Sequence, residues 1–332
     1  MKILVTGGCG FIGSNFIRHV LASHADDAVT NLDRLTYAGN PENLRDVESD
    51  ARYRFVRGDI ADAQLVRDLL RGMDAVVNFA AETHVDRGNL DAGELLRTNV
   101  TGAFTLLEGV RQLGIPRFLQ VSTDEVYGSL EVGAAREAAP LNPSNPYSAS
   151  KAAADLLARS YWTTHRVPVV ISRSSNNFGP YQHPEKLIPL FVTNAIEDRP
   201  LPLYGDGKNV REWLYVLDNC AAIDLVLRRG GDGEIYNVGS GVGVENIEVT
   251  RQVLALLDRP ESLIQPVRDR AGHDRRYALD STKVRALGWA PQHPFGSALG
   301  ATVEWYRARE DWWRPLRSGQ FTDYYRRQYA GR

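Results

Sequence analysis

Thr6-Gly7-Gly8-Cys9-Gly10-Phe11-Ile12-Gly13 is the stretch that decides the fold. It follows the short apolar run Ile3–Thr6 and opens a longer amphipathic stretch, Phe11–Ala22. Glycines at 7, 10 and 13 let the chain turn sharply and approach a ligand closely, and the helix start behind them presents free N–H groups and a positive dipole end. That combination of strand, glycine loop and helix suits a pyrophosphate. Asp33 ends the next β-branched run, 20 residues beyond Gly13, where a carboxylate can accept from both hydroxyls of a ribose. A carboxylate there repels a 2′-phosphate, so NAD is expected over NADP. Arg34 keeps the second cofactor open, because an arginine can receive such a phosphate.

Outward from this loop, short β runs alternate with amphipathic runs. Strands are expected at Ile3–Thr6, Ala28–Leu32, Tyr53–Val56, Ala75–Phe79, Phe118–Val121 and Val169–Ser172, and helices at Phe11–Ala22, Ala63–Leu70, Leu95–Leu113 and Ser148–His165. The pattern reads as an α/β fold with a doubly wound parallel (Rossmann) sheet. From Asn176 onward Pro180, Pro184, Pro189, Pro200 and Pro202 punctuate the chain, so a smaller C-terminal α/β lobe is expected. The division expected is an NAD-binding domain over 1–175 and a second, smaller domain over 176–332. Trp213–Val216 and Ile235–Val238, flanking a helical Asn219–Leu227, are candidates to cross back to the main sheet.

Composition narrows the function. The 332 residues are 43% hydrophobic and 24% charged with a net charge of -2, which suits a globular chain and gives no footprint for nucleic acid. The two cysteines, Cys9 and Cys220, have no metal-type spacing, and no metal is expected. The apolar start is too short for a signal peptide or a membrane span, so a cytoplasmic setting is expected.

Two further segments carry chemistry. Tyr147 and Lys151 occur as Tyr-Ser-Ala-Ser-Lys, one helical turn apart, and a neighbouring ammonium favours the phenolate of a tyrosine that must act as a base. Ser122-Thr123-Asp124-Glu125 follows the fifth strand at the ligand-binding edge of such a sheet. Two adjacent carboxylates there must separate their pKa values, which lets one serve as acid and the other as base. Asp59-Ile60 and Ala80-Ala81 follow the third and fourth strands, where the adenine edge and the rest of a dinucleotide would lie.

These segments, with Ala80–Asp86, Asn176–Gln182, Gly205–Arg211 and Arg270–Tyr277, give a chain that resembles the extended short-chain dehydrogenase/reductases. Thr123-Asp124-Glu125 narrows the resemblance to the dTDP-glucose 4,6-dehydratases, since epimerases and decarboxylases of the group lack the aspartate. The resemblance implies a lyase of deoxysugar biosynthesis, assembled as a homodimer through the helices near 95–113 and 148–165. Tyr147 would take the C4 hydroxyl proton with help from Thr123, Glu125 the C5 proton, and Asp124 would protonate the departing C6 hydroxyl. Phe11, Ile12, Leu35, Thr36, Glu82, Thr98 and Asn177 would join the cofactor site. Thr83, His84, Thr123, Asn176, Lys186, Leu187, Pro202, Tyr204, Arg211, Asn246, Arg270 and His273 would hold the nucleotide sugar. The alternatives are another nucleotide-sugar 4-epimerase or decarboxylase, which needs no C6 acid, and a non-catalytic NAD-sensing regulator, which has no use for the Tyr147/Lys151 pair.

Overall fold

The computed structural model describes residues 1–83, 92–269, 272–318 and 325. Its frame is a seven-stranded parallel sheet of strands β1 (Lys2–Thr6), β2 (Ala28–Asp33), β3 (Tyr53–Arg57), β4 (Ala75–Asn78), β5 (Phe118–Thr123), β6 (Val169–Ser174) and a late strand, Ile235–Val238, in the order 3-2-1-4-5-6 followed by that late strand. β4, β5 and β6 are buried along their whole lengths, as central parallel strands covered on both faces must be. The order reverses beside β1, and that reversal opens a crevice at the carboxyl ends of the strands.

Helices cover both faces. On one side α1 (Phe11–Ser23) packs through Phe16, Ile17 and Val20. On the other lie α2 (Ala63–Leu70), α3 (Ala103–Leu113) and α4 (Pro146–His165), which share a cluster with Val66, Leu106, Val110 and Ala158. Local chemistry fixes their ends. Asp62 accepts from the N–H groups of Gln64 and Leu65 at the start of α2, and Gly114, at φ 64°, ends α3. α4 opens with Pro146 at its first turn and a reciprocal cap between Asn145 and Ser148.

A helical turn, Gly93–Leu95, and a π-helical turn, Leu96–Gly102, lead into α3. The widened turn points Asn99 inward. Its Oδ1 accepts from the Glu82 N–H at 2.9 Å, while its Nδ2 donates to the Glu82 carbonyl at 3.0 Å and to Ser150 Oγ at 2.9 Å.

Beyond β6 come β7 (Asn176–Phe178), α5 (Leu187–Ile196), β8 (Leu201–Tyr204), β9 (Val210–Tyr215), α6 (Val216–Arg229), β10 (Ile235–Val238), β11 (Gly243–Glu245), α7 (Asn246–Leu256), β12 (Ile264–Val267), α8 (Thr282–Ala286), α9 (Phe295–Ala308) and α10 (Glu310–Leu316). β11, β9 and β7 form a small sheet, and β8 pairs with β12. Their core is aromatic, with Phe178, Phe191, Trp213, Tyr306 and Trp313 packed together. Of the two segments expected to cross back, only Ile235–Val238 joins the large sheet, beside β6. Trp213–Tyr215 instead ends β9 in the small sheet, and Val216 begins α6, which packs on α1. The alternation that marks a strand does not say which sheet receives it.

Candidate active site

The glycine loop is shaped by close approach. Gly7 sits at φ 70° and donates to the Leu32 carbonyl at 2.9 Å, and a Cβ on it would stand 2.6 Å from the Ala80 nitrogen. A Cβ on Gly13 would strike the Gly7 carbonyl, so neither position admits a side chain. Asp33 is buried below the loop, its Oδ2 accepting from the Cys9 N–H and its Oδ1 from the Leu35 N–H, both at 2.8 Å. Burial pushes its pKa up and these two donors pull it back, and a carboxylate retains acceptor capacity beyond them. Arg34 is paired with Asp59 at 3.3 Å and Glu94 at 2.9 Å, and Arg97 also reaches Asp59 at 2.7 Å. Arg34 therefore already serves two carboxylates, which leaves less of its fork for a 2′-phosphate.

From this loop a cleft of about 1600 Å3 runs over the carboxyl edge of the sheet. Gly7, Gly10, Phe11, Ile12, Gly13, Asp33, Arg34 and Thr36 line one end, with Asp59, Ile60, Ala80, Ala81, Glu82 and Thr98 beside them. Thr83, Thr123, Asp124, Glu125, Tyr147, Lys151, Asn176, Asn177 and Lys186 line the rest. Leu35 is not in the wall. It holds φ 60° and packs on the core beneath.

The middle of the cleft gathers the chemistry. Lys151 donates to the Val121 carbonyl at 2.6 Å, and burial lowers its pKa to about 8 against a smaller opposing pull from Asp155. The tyrosine does not behave as the lysine neighbour alone suggests. Burial, then Glu125 and Asp124, push the Tyr147 hydroxyl up, and a hydrogen bond with Thr123 offsets only part of this. The phenolate is therefore disfavoured until a further positive charge arrives. Asp124 is 2% exposed, and its carboxyl is raised well above the ordinary range by burial and by the nearby Glu125 and Glu212. Its Oδ1 accepts from Thr123 Oγ1 at 3.2 Å, while Oδ2 has no partner. Burial thus raises the Asp124 carboxyl, with the less buried Glu125 beside it.

Other expected residues stand apart from the cleft wall. Arg211 is buried, donates to the carbonyls of Asp274 at 2.8 Å and Val210 at 2.9 Å, and lies 4.4 Å over the Tyr277 ring. Its charge lowers the Asp124 carboxyl, which ties this second pole to the acid. Tyr204 and His273 meet edge to face at 5.9 Å, and His273 Nδ1 is 2.6 Å from Asp269. Asn246 starts α7 with its Oδ1 buried and unpartnered, like the Oδ1 of Asn209. Pro202 is buried in β8, and Leu187 opens α5 next to Lys186. His84 and Arg270 lie outside the described residues.

The structure adds Ser175, Gln182, His183 and Glu185 to the cleft wall. Gln182 Nε2 donates to the Asn177 carbonyl at 2.9 Å, and Lys186 Nζ donates to the Thr83 carbonyl at 2.9 Å. Gln182 ends the Asn176–Gln182 segment that carries the resemblance, while Ser175, His183 and Glu185 are signalled only by nearness to Asn176 and Lys186, on a proline-broken stretch with no period to read. No group of side chains suited to a metal occurs among the described residues, and none of their helices is long and apolar enough to cross a membrane.

Comparison with known proteins places this arrangement. The chain is 55% identical over 306 residues to the low-salt glycan biosynthesis protein Agl12 of Haloferax volcanii, covering 92% of this chain and 98% of that protein. It is 50% identical over 323 residues to a dTDP-glucose 4,6-dehydratase of Streptomyces niveus, covering 96% of each. Among solved structures, DesIV, a dTDP-glucose 4,6-dehydratase of Streptomyces venezuelae crystallised with NAD bound, superposes with a TM-score of 0.94 at 53% identity, covering 95% of this chain and all of that one. The sequence model of the GDP-mannose 4,6 dehydratase family matches residues 4–301, and the chain belongs to that family.

Proposed function

We propose that this protein is a dTDP-glucose 4,6-dehydratase, converting dTDP-glucose to dTDP-4-keto-6-deoxyglucose and water. The observation that carries the reading is the buried Asp124, its carboxyl raised well above the ordinary range by burial, next to Glu125 and in the same cleft as Tyr147 and Lys151. An epimerase or a decarboxylase has no use for an acid at C6, and a cofactor sensor has no use for Tyr147. The full-length likeness to dTDP-glucose 4,6-dehydratases supports both the reaction and the thymidine carrier.

The cleft fits NAD. Gly7 and Gly13 let the loop fold tightly against Ala80 and itself, Asp33 stands at the ribose position, and Ser175 Oγ and Asn177 Oδ1 are buried and without partners at the opposite end. Bound there, NAD would accept hydride from the sugar C4 and return it to C6.

The chain's own groups handle the protons. Tyr147 takes the C4 hydroxyl proton through contact with Thr123, and Lys151, held on the Val121 carbonyl, supplies positive charge beneath it. The ketone formed at C4 acidifies C5. Glu125 removes that proton and Asp124 gives its own to the leaving C6 hydroxyl, so that water departs. Arg211, Tyr204, Asn246 and His273 are the proposed grip on the nucleotide diphosphate, with Arg211 stiffened by Tyr277 and Asp274.

The division near residue 175, with 216–229 and 235–238 crossing back to the first lobe, is supported by the separate aromatic core of the second lobe. A homodimer is supported by Leu96, Phe104 and Leu156, which are 56%, 46% and 55% exposed on the two helical stretches expected to pair. Cytoplasmic residence fits its two buried free thiols.

The test is incubation with dTDP-glucose and catalytic NAD, with the product weighed. Loss of one water without accumulation of reduced cofactor supports the reading. An isobaric product overturns it for an epimerase, and binding without turnover of any dTDP-, UDP- or GDP-hexose overturns it for a sensor.

A further inference from the structure

The Cys9 peptide in the glycine loop is held on both sides. Its N–H donates to Asp33, while its carbonyl accepts from the Asn40 N–H at 3.0 Å and from Asn43 Nδ2 at 2.9 Å. Asn43 is 1% exposed, and its Oδ1 accepts from the indole Nε1 of Trp312, on α10, at 2.8 Å. An indole nitrogen can only donate, so it dictates which way the Asn43 amide faces. Turned over, that amide would set its oxygen against the Cys9 carbonyl. Arg18 of α1 fixes the same spot by donating to the Asn43 carbonyl, pairing with Asp46 at 2.6 Å and lying 4.1 Å over the Tyr181 ring. Trp312 itself is wedged edge-on against Tyr181 and Trp305.

The neighbouring helix makes a parallel connection to the other end of the cleft. Tyr306 of α9 donates to the Gln182 carbonyl, and the Gln182 amide donates to the Asn177 carbonyl. The C-terminal helices therefore brace the floor of the cleft at both ends, although neither Trp312 nor Tyr306 lines it.

We infer that Trp312 is a positioning residue for the dinucleotide. Through Asn43 it fixes the Cys9 carbonyl, and with it the loop whose N–H groups receive the pyrophosphate, so that docking of α10 and binding of the cofactor reinforce each other. The inference rests on the NAD reading above. Reciprocity follows: whatever α10 docking adds to NAD affinity, NAD must add to α10 docking.

Trp312→Phe keeps a ring in the aromatic cluster, at the cost of part of the indole's volume, and removes the donor to Asn43. Asn43→Asp keeps an acceptor for Trp312 and removes the donor to Cys9. NAD and dTDP binding are measured by calorimetry on wild type and on both variants, with kcat at saturating NAD. The expected result is NAD binding weaker by about fivefold for Trp312→Phe and about tenfold for Asn43→Asp, with dTDP binding and kcat little changed. On the wild-type protein, NAD should slow amide hydrogen exchange in 310–316 as well as in 7–13. NAD affinities within twofold of wild type in both variants overturn the inference. Should either variant not fold, exchange in 310–316 that ignores NAD overturns it instead. A wild-type protein that binds no NAD overturns the functional reading itself, a separate and recognisable result.

Discussion

The two ends of the cleft are built on opposite plans. At the glycine loop the turn itself is tied down by the chain, with Gly7 on Leu32, Gly10 on Gly7, Cys9 on Asp33 and Asn43 on Cys9, which holds the start of α1 in place for a ligand. Towards the second lobe Asp124 Oδ2, Asn176 Oδ1, Asn177 Oδ1 and Gln182 Oε1 line the cleft buried and without a partner in the fold. An unpaired buried polar atom is costly, so a fold keeps several together only where something else meets them. The first end is a finished mould that recognises by shape, and the second is a set of waiting hydrogen-bonding groups that recognises by pairing.

Substitutions at each end should therefore fail in different ways. Asp124→Asn should produce the largest effect, lowering dehydration by about a thousandfold while leaving NAD affinity intact. The same change should raise thermal stability. Because the folded pKa of Asp124 lies above its unfolded value near 3.8, wild type loses stability as pH rises past that value, whereas the amide does not. The gain, about 2 °C at neutral pH by calorimetry, should vanish in acid. A variant that is both inactive and less stable would break the contrast.

At the moulded end, Gly13→Ala should weaken NAD binding by about a hundredfold, since the new methyl meets the Gly7 carbonyl, yet leave dTDP binding within a small factor. Equal loss of both ligands would mean that the ends are one unit. Arg211→Lys should raise KM for the nucleotide sugar by about tenfold with a smaller change in kcat, because the planar fork on Asp274 and Val210 is replaced by a point charge.

The smallest expected effect is a pH response. With Lys151 at about 8, activity that needs its charge should decline above that pH. Stability should move the other way through this group. Between about 8 and 10.5 the unfolded chain holds the proton and the folded one has released it, so folding is favoured as pH rises. Paired pH profiles of kcat and of the melting temperature would check this opposition.

The contrast also explains what could be read in advance. The moulded end is local: Gly7 to Gly13, the strand before and the helix after are contiguous, and Asp33 follows at a spacing set by one βαβ unit. Strand and helix positions in the first half were legible for the same reason, down to Ala63–Leu70. The second end is assembled from segments far apart in sequence, so Ser175, Gln182, His183 and Glu185 enter the cleft through packing that no period records. For Tyr147, spacing reveals Lys151 but not the depth of burial or the reach of Glu125 and Asp124, which push its hydroxyl up. The crossing strand Ile235–Val238 was recognisable as a strand, while the destination of Trp213–Val216 depended on partners the sequence does not name.

The π-helical turn Leu96–Gly102 bears on how this protein can change over evolutionary time. A π turn holds one residue more than the regular helix, and here the extra residue is what turns Asn99 toward the Glu82 peptide and Ser150. Removing any single residue from the segment would restore a regular helical turn in place and take away the widening that aims Asn99 inward. Side chains there can drift as long as Asn99 stays, but the length of the segment cannot, and insertions or deletions should be far rarer in 96–102 than in the connection 114–117 after the helix that follows.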